Sequence, residues 1–265
     1  MRLARIRTEN GIRVARISAD GARALPPGEA ELPGIDDPAL EHERPLSLAN
    51  LEAPLQPSKV VAIGRNYRAH AAELDNVVPE RPLIFLKAPS SVIGPGKRIL
   101  LPPDSERVEH EAELGIVIAR RCRHIPADEF SSVVAGYIAL NDVTARDLQK
   151  SDGQFARGKG FDTFCPIGPW LETELDPFDV EVVCRVNGEV RQLGRTSQMV
   201  FAIPTLVAAI SRVMTLLPGD VIASGTPAGV SRLYDGDVVE VEIEGLGVLQ
   251  NHVRLDLQAA QLPRV

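Results

Sequence analysis

Between Glu109 and Ala119 the chain reads EHEAELGIVIA: carboxylates on alternate residues, then an unbroken apolar run. This pattern describes a strand with one end at a polar site and the rest in the core. Alternate side chains of a strand share a face. Glu111 and Glu113 therefore point the same way, with Glu109 aligned behind them. Adjacent carboxylates on one face repel, and they need a cation, protons or water to coexist. The plain alternative is a solvated strand end; the LGIVIA run opposes it by drawing the acids toward the core. Asp142 has a similar setting, after the apolar YIAL and before a helical stretch. There the alternative is a helix N-cap. Three carboxylates offering only oxygen would suit Mg²⁺ or Mn²⁺ better than Zn²⁺.

The 265 residues allow one large domain, or a large and a small one. With 4% aromatic residues, the core falls to Val, Ile, Leu and Ala. A net charge of −7 argues against a nucleic-acid partner. A small anionic substrate stays compatible, because a local cluster of Arg and Lys can oppose the global sign. Cys122, Cys165 and Cys184 are widely spaced, so neither a disulfide framework nor a thiolate zinc site is indicated. The N-terminal MRLARIRTENG has no apolar core, and no stretch approaches the ~20 apolar residues of a membrane span. These features point to a cytoplasmic protein with no membrane partner.

Residues 1–20 alternate around Asn10-Gly11, a hairpin signal. Residues 21–58 are rich in Pro, Gly, Ala and Glu. We expect residues 1–56 to form a small β-rich subdomain and connector, packed on a main domain spanning residues 57–265. Strands are expected at residues 59–63 and 83–87, a short helix at 65–75, and a strand leading into a helix at 136–149. A hairpin is expected after Asp179, a helix over Ser197–Leu217, and closing strands at 237–243 and 248–257. Strands outnumber helices and do not alternate with them regularly, which favours a β-rich α+β fold.

Further polar residues stand out. His70 and Glu73 are three apart on the expected helix and share a face. A carboxylate near a histidine ring orients it and raises its basicity, making a general base; the alternative is a surface pair. Lys87 and Lys159 sit outside charge runs, and each could bind a carboxylate, stabilise an enolate or be solvated. Arg146 and Gln149, spaced i, i+3, could look into one site, and Arg65 is a further polar candidate. The Ser224–Pro227 turn offers a hydroxyl and backbone N–H groups to a carboxylate, or is an ordinary turn.

Six ordered blocks bring these residues together: GRNYRAHAAEL (64–74), FLKAPSSVIGPG (85–96), EHEAELGIVI (109–118), GYIALNDVTARDLQ (136–149), ARGKGFDTFCPIGP (156–169) and GDVIASGTPAGV (219–230). Across roughly residues 57–255 the chain resembles the fumarylacetoacetate hydrolase superfamily. The resemblance implies a mixed β-sandwich roll with short helices, usually dimeric. It implies a Mg²⁺ or Mn²⁺ site on Glu111, Glu113 and Asp142. His70 and Glu73 fall on the family's catalytic dyad, carried on a lid, and Lys159 on its catalytic lysine. Arg146, Gln149 and Thr226 fall on substrate contacts, and Arg65 and Lys87 join them as substrate-binding candidates. The implied chemistry acts on a small 2-oxo acid through a metal-stabilised enolate. Within the family the chain most resembles catabolic isomerases and decarboxylases of 2-hydroxyhepta-2,4-diene-1,7-dioate and related acids in aromatic breakdown. The intact dyad also suits an acylpyruvate hydrolase or an oxaloacetate decarboxylase. A binding protein that kept the fold and lost the chemistry is the remote alternative.

Overall fold

The structure, a computed structural model, describes residues 1–9, 11–18, 21–24, 33 and 45–261. In chain order the longer strands are β1 (Arg2–Thr8), β2 (Gly11–Ser18), β3 (Val60–Gly64), β4 (Leu83–Lys87), β5 (Arg98–Leu101), β6 (Ala112–Ile118) and β7 (Val134–Asn141). They continue with β8 (Cys165–Glu172), β9 (Glu181–Val186), β10 (Glu189–Arg195), β11 (Val221–Ala223), β12 (Val238–Ile243) and β13 (Gly247–Leu255). The helices are α1 (Arg68–Glu73), α2 (Arg146–Asp152), α3 (Phe155–Gly160) and α4 (Ile203–Val213). The fold is the expected β-rich α+β type. No helix of the described residues is long and apolar enough to cross a membrane.

Two sheets carry the architecture. The larger runs β2-β1-β8-β7-β6-β11-β3-β4, with short strands beyond β2. The smaller runs β10-β9-β12-β13-β5. Strand β6 is buried on both faces. Leu114, Ile116 and Ile118 join Val182, Cys184, Val239 and Val241 of the smaller sheet in the main core. Val117 joins Val60, Ala62, Ile138, Leu140 and Ile167 in a second core on the opposite face. Glu113 has the parity of Val117 and shares that second face. The leader is continuous with the larger sheet, since Leu3 of β1 lies opposite Leu171 of β8. Thr8 pairs with Gly11 in the β1–β2 hairpin; Asn10 of its turn, and most of the 21–44 connector, lie outside the described residues.

The helix expected from Ser197 begins only at Ile203. Pro204 explains the difference, because proline suits a first turn and breaks an interior. The preceding segment forms a short 3-10 turn at Thr196–Gln198 and then an irregular connection. Asn66 accepts the Phe201 N–H at 2.8 Å, and its amide donates to the Phe201 and Ser224 carbonyls. From there Ile203, Leu206, Val207 and Ile210 bury one face of α4, as the 3.6-residue period requires.

Asp220 anchors the parallel β11–β3 pair at the polar end of the core. Its buried carboxylate accepts from the Ser58 hydroxyl at 2.6 Å and from the N–H groups of Lys59 and Leu217, and it pairs with the Lys59 ammonium. Removing it strands these donors. Asp220→Ala is expected to lower stability by about 3 kcal/mol, read as a shift in the urea unfolding midpoint; a loss below about 1 kcal/mol, the size of an exposed ion pair, would show that the network contributes little.

Candidate metal centre

The β6–β7 register sets Ala112 opposite Asn141, so Glu111, Glu113 and Asp142 meet where the two strands end. Two bonds lock this corner: Asp142 N–H donates to the Glu111 carbonyl at 2.8 Å, and Glu111 N–H to Asn141 Oδ1 at 2.9 Å. One carboxylate oxygen from each of the three residues lies within 4.8 Å of the others, and all three side chains are buried.

Cations gather around the triad from separate elements. Lys159 of α3, 2% exposed, donates to Glu111 at 2.6 Å and to Asp142 at 2.5 Å. Lys87, at the end of β4, lies 2.6 Å from the other Asp142 oxygen, off the line of a hydrogen bond; its protons go to the Val143 and Lys159 carbonyls. Arg146, the first residue of α2, bridges Glu109 and Glu111 and donates to Gln149. Burial alone would raise the Glu111 carboxyl, but Lys159 and Arg146 overcome it and hold it well below the usual range. Burial would likewise lower Lys159; Asp142 and Glu111 reverse that and keep it an ammonium.

Glu113 differs. Burial, and then the charges of Asp142 and Glu111, push its carboxyl well above the usual range. It forms no ion pair among the described residues, and the Gly225 N–H donates to it at 2.7 Å. Gly225 has φ +98°, and a Cβ there would lie 2.6 Å from that of Asn66, so glycine alone presents this donor. An oxygen-only donor set of three buried, mutually repelling carboxylates fits a hard divalent cation such as Mg²⁺ or Mn²⁺.

The triad opens on a cavity of about 550 Å³. His70 and Glu73 of α1 line it, with Nδ1 3.3 Å from Glu73 Oε2. The Gly229 N–H holds Glu73 from the far side at 3.0 and 3.2 Å. Gly229 also requires glycine, at φ +104° with a Cβ position 2.0 Å from the Arg191 carbonyl. Arg65, Arg146, Gln149, Lys159 and Thr226 line the cavity too. Arg65 has a left-handed φ of 58°, uncommon outside glycine. The Thr226 hydroxyl is committed within the protein, donating to the Ala112 carbonyl and accepting from Gln192. Lys87 is not among the cavity-lining residues; it stands behind Asp142. The carboxylate that the Ser224–Pro227 turn holds is that of Glu113, through the Gly225 N–H. Sequence reasoning missed the Gly229 donor, whose positive φ carries no sequence mark beyond glycine itself. It also missed Phe85 and Phe155, which line the cavity with rings 5.2 Å apart.

The sequence profile described as "Fumarylacetoacetate (FAA) hydrolase C-terminal" matches residues 59–254. The chain belongs to the fumarylacetoacetate hydrolase family. It is similar to the solved 5-carboxymethyl-2-hydroxymuconate delta-isomerase of Mycobacterium smegmatis, at 46% identity and TM-score 0.85 over 97% of this chain and 99% of that one. The 2-hydroxyhepta-2,4-diene-1,7-dioate isomerase of Mycobacterium marinum is similar at 41% identity and TM-score 0.85, again over 97% and 99%. The human mitochondrial oxaloacetate tautomerase FAHD2A is 45% identical, over 79% of this chain and 71% of its own length.

The Glu113 shift has a pH signature in this family member. The folded, metal-free protein holds a proton that the unfolded chain releases. The stability this contributes is therefore present at low pH and lost as pH rises through the folded-state value. A bound cation replaces that proton. The rise in Tm on adding Mn²⁺ is expected to be larger at about pH 8 than at about pH 5, with most of the difference absent in Glu113→Gln. Thermal-shift measurements at both pH values check this; an equal rise at both contradicts it.

Proposed function

We propose that this family member is a divalent-metal-dependent enzyme acting on 2-oxo acids and their 2-hydroxy-dienoic tautomers through an enolate. The reaction best supported is isomerisation of 2-hydroxyhepta-2,4-diene-1,7-dioate or a close relative, with decarboxylation of a related acid as the other outcome open to the same enolate. One observation carries this reading: a proton-transfer pair and a buried carboxylate triad face the same cavity. The names of the similar proteins support it, since isomerases and a tautomerase all move protons next to a carbonyl.

A divalent cation held by the triad would supply Lewis-acid polarisation of a substrate carbonyl. The chain's own residues supply the rest. With Glu73 against Nδ1, the His70 ring carries its proton on that side, and Nε2 is left as the base. Nε2 can take a proton from carbon and return it farther along a conjugated chain. Lys159 stays charged, so it acts as a positive donor toward developing negative charge rather than as a base. Arg146 and Gln149, coupled at 2.6 Å, offer N–H donors to the substrate carboxylate. Phe85 and Phe155 give the cavity an apolar wall that excludes water from the carbanion.

The same dyad favours a second reading, C–C hydrolysis of an acylpyruvate, because His70 could equally deprotonate a water. Assays with the dienedioate, oxaloacetate and an acylpyruvate separate the two. Isomerisation that EDTA abolishes and Mn²⁺ or Mg²⁺ restores is the expected result, with His70→Ala reducing it by about 10²–10⁴-fold. Cleavage of the acylpyruvate with the dienedioate untouched would replace isomerisation by hydrolysis. Full activity in EDTA would overturn both.

A further inference from the structure

Gln192 belongs to β10, in a hairpin that contributes nothing to the cavity lining. It is nonetheless fully buried, and its amide uses all its hydrogen-bonding capacity. Nε2 donates to Thr226 Oγ1 and to the Pro227 carbonyl, both at 2.7 Å. Oε1 accepts the Ala112 N–H at 3.0 Å and lies 2.9 Å from His110 Nδ1. Because the oxygen faces His110, Nδ1 carries the ring proton, and Nε2 accepts from the Ser231 hydroxyl at 2.8 Å. Thr226 Oγ1 in turn donates to the Ala112 carbonyl at 2.8 Å.

These bonds close a ring around one residue. The Ala112 N–H meets the Gln192 amide, the amide meets the Thr226 hydroxyl, and the hydroxyl returns to the Ala112 carbonyl. Ala112 is the residue between Glu111 and Glu113. The neighbour of Thr226, Gly225, holds the Glu113 carboxylate itself. We propose that Gln192 is a positioning residue for the metal centre: it clamps the backbone of Ala112 and so sets the separation of the Glu111 and Glu113 carboxylates. This rests on reading the triad as a cation site. A side chain that merely glued the hairpin to the sheet would have no reason to close its bonds on the linker between two ligands.

Loss of a partner that orients a metal ligand weakens metal binding by about 10–100-fold. Gln192→Met keeps the length and removes the amide; Thr226→Val breaks the same ring from its other side and leaves Gln192 in place; Thr226→Ser restores the hydroxyl. Mn²⁺ Kd and the EPR line shape of bound Mn²⁺ are measured on each full-length protein below its Tm. Gln192→Met and Thr226→Val are expected to lose about 10–100-fold in affinity with altered line shapes, and Thr226→Ser to match wild type. The double variant should be no worse than either single one, since both break one ring. If Gln192→Met does not fold, Thr226→Val carries the comparison. Variants that lose Tm yet keep the wild-type Kd and line shape overturn the positioning role alone. A wild-type protein that binds no Mn²⁺ overturns the metal reading and this inference together.

Discussion

Three carboxylates, each almost removed from water, share a space in which their oxygens lie within 4.8 Å of one another. At that separation each pair of like charges repels by about 3–4 kcal/mol even at an effective dielectric of 20. The surrounding chain is arranged to answer this repulsion. Lys159 arrives from one helix, Arg146 from another and Lys87 from a strand end, each aimed at the same corner. At Glu113, burial and the charges of Asp142 and Glu111 still push the carboxyl well above the usual range. A hard divalent cation would complete the balance that the side chains leave open.

The division of labour between sheet and helices follows from that need. Of the three carboxylates, Glu113 sits on β6, Glu111 just before it and Asp142 just after β7, where the β6–β7 register brings them together and two apolar cores pin both faces of β6. The other polar groups that line the cavity sit on short helices around it: His70 and Glu73 on α1, Arg146 and Gln149 on α2, Lys159 on α3. Backbone N–H groups from two positive-φ glycines complete the arrangement, Gly225 toward Glu113 and Gly229 toward Glu73.

Much of this was legible in the amino-acid order. The switch from alternating acids to LGIVI announced a strand with a polar end, and the i, i+3 spacing of His70 and Glu73 announced a shared helix face. Those are local signals, and local geometry decides them. The start of α4 was misplaced by six residues because the apolar period extends upstream of the point where Pro204 and the Asn66 bonds let the helix begin. The stance of Lys87 behind Asp142, rather than in the cavity, was likewise out of reach.

By itself, then, the sequence determined which residues are chemically competent and which faces they share, since periods of 2.0 and 3.6 residues follow from backbone geometry alone. Only the tertiary structure decided that Glu111 and Asp142, 31 positions apart in the chain, touch the same lysine. It alone decided that Gln192 reaches across from another sheet to close on Ala112. Such meetings depend on strand register and on how two sheets pack, and no periodicity within a single segment encodes them.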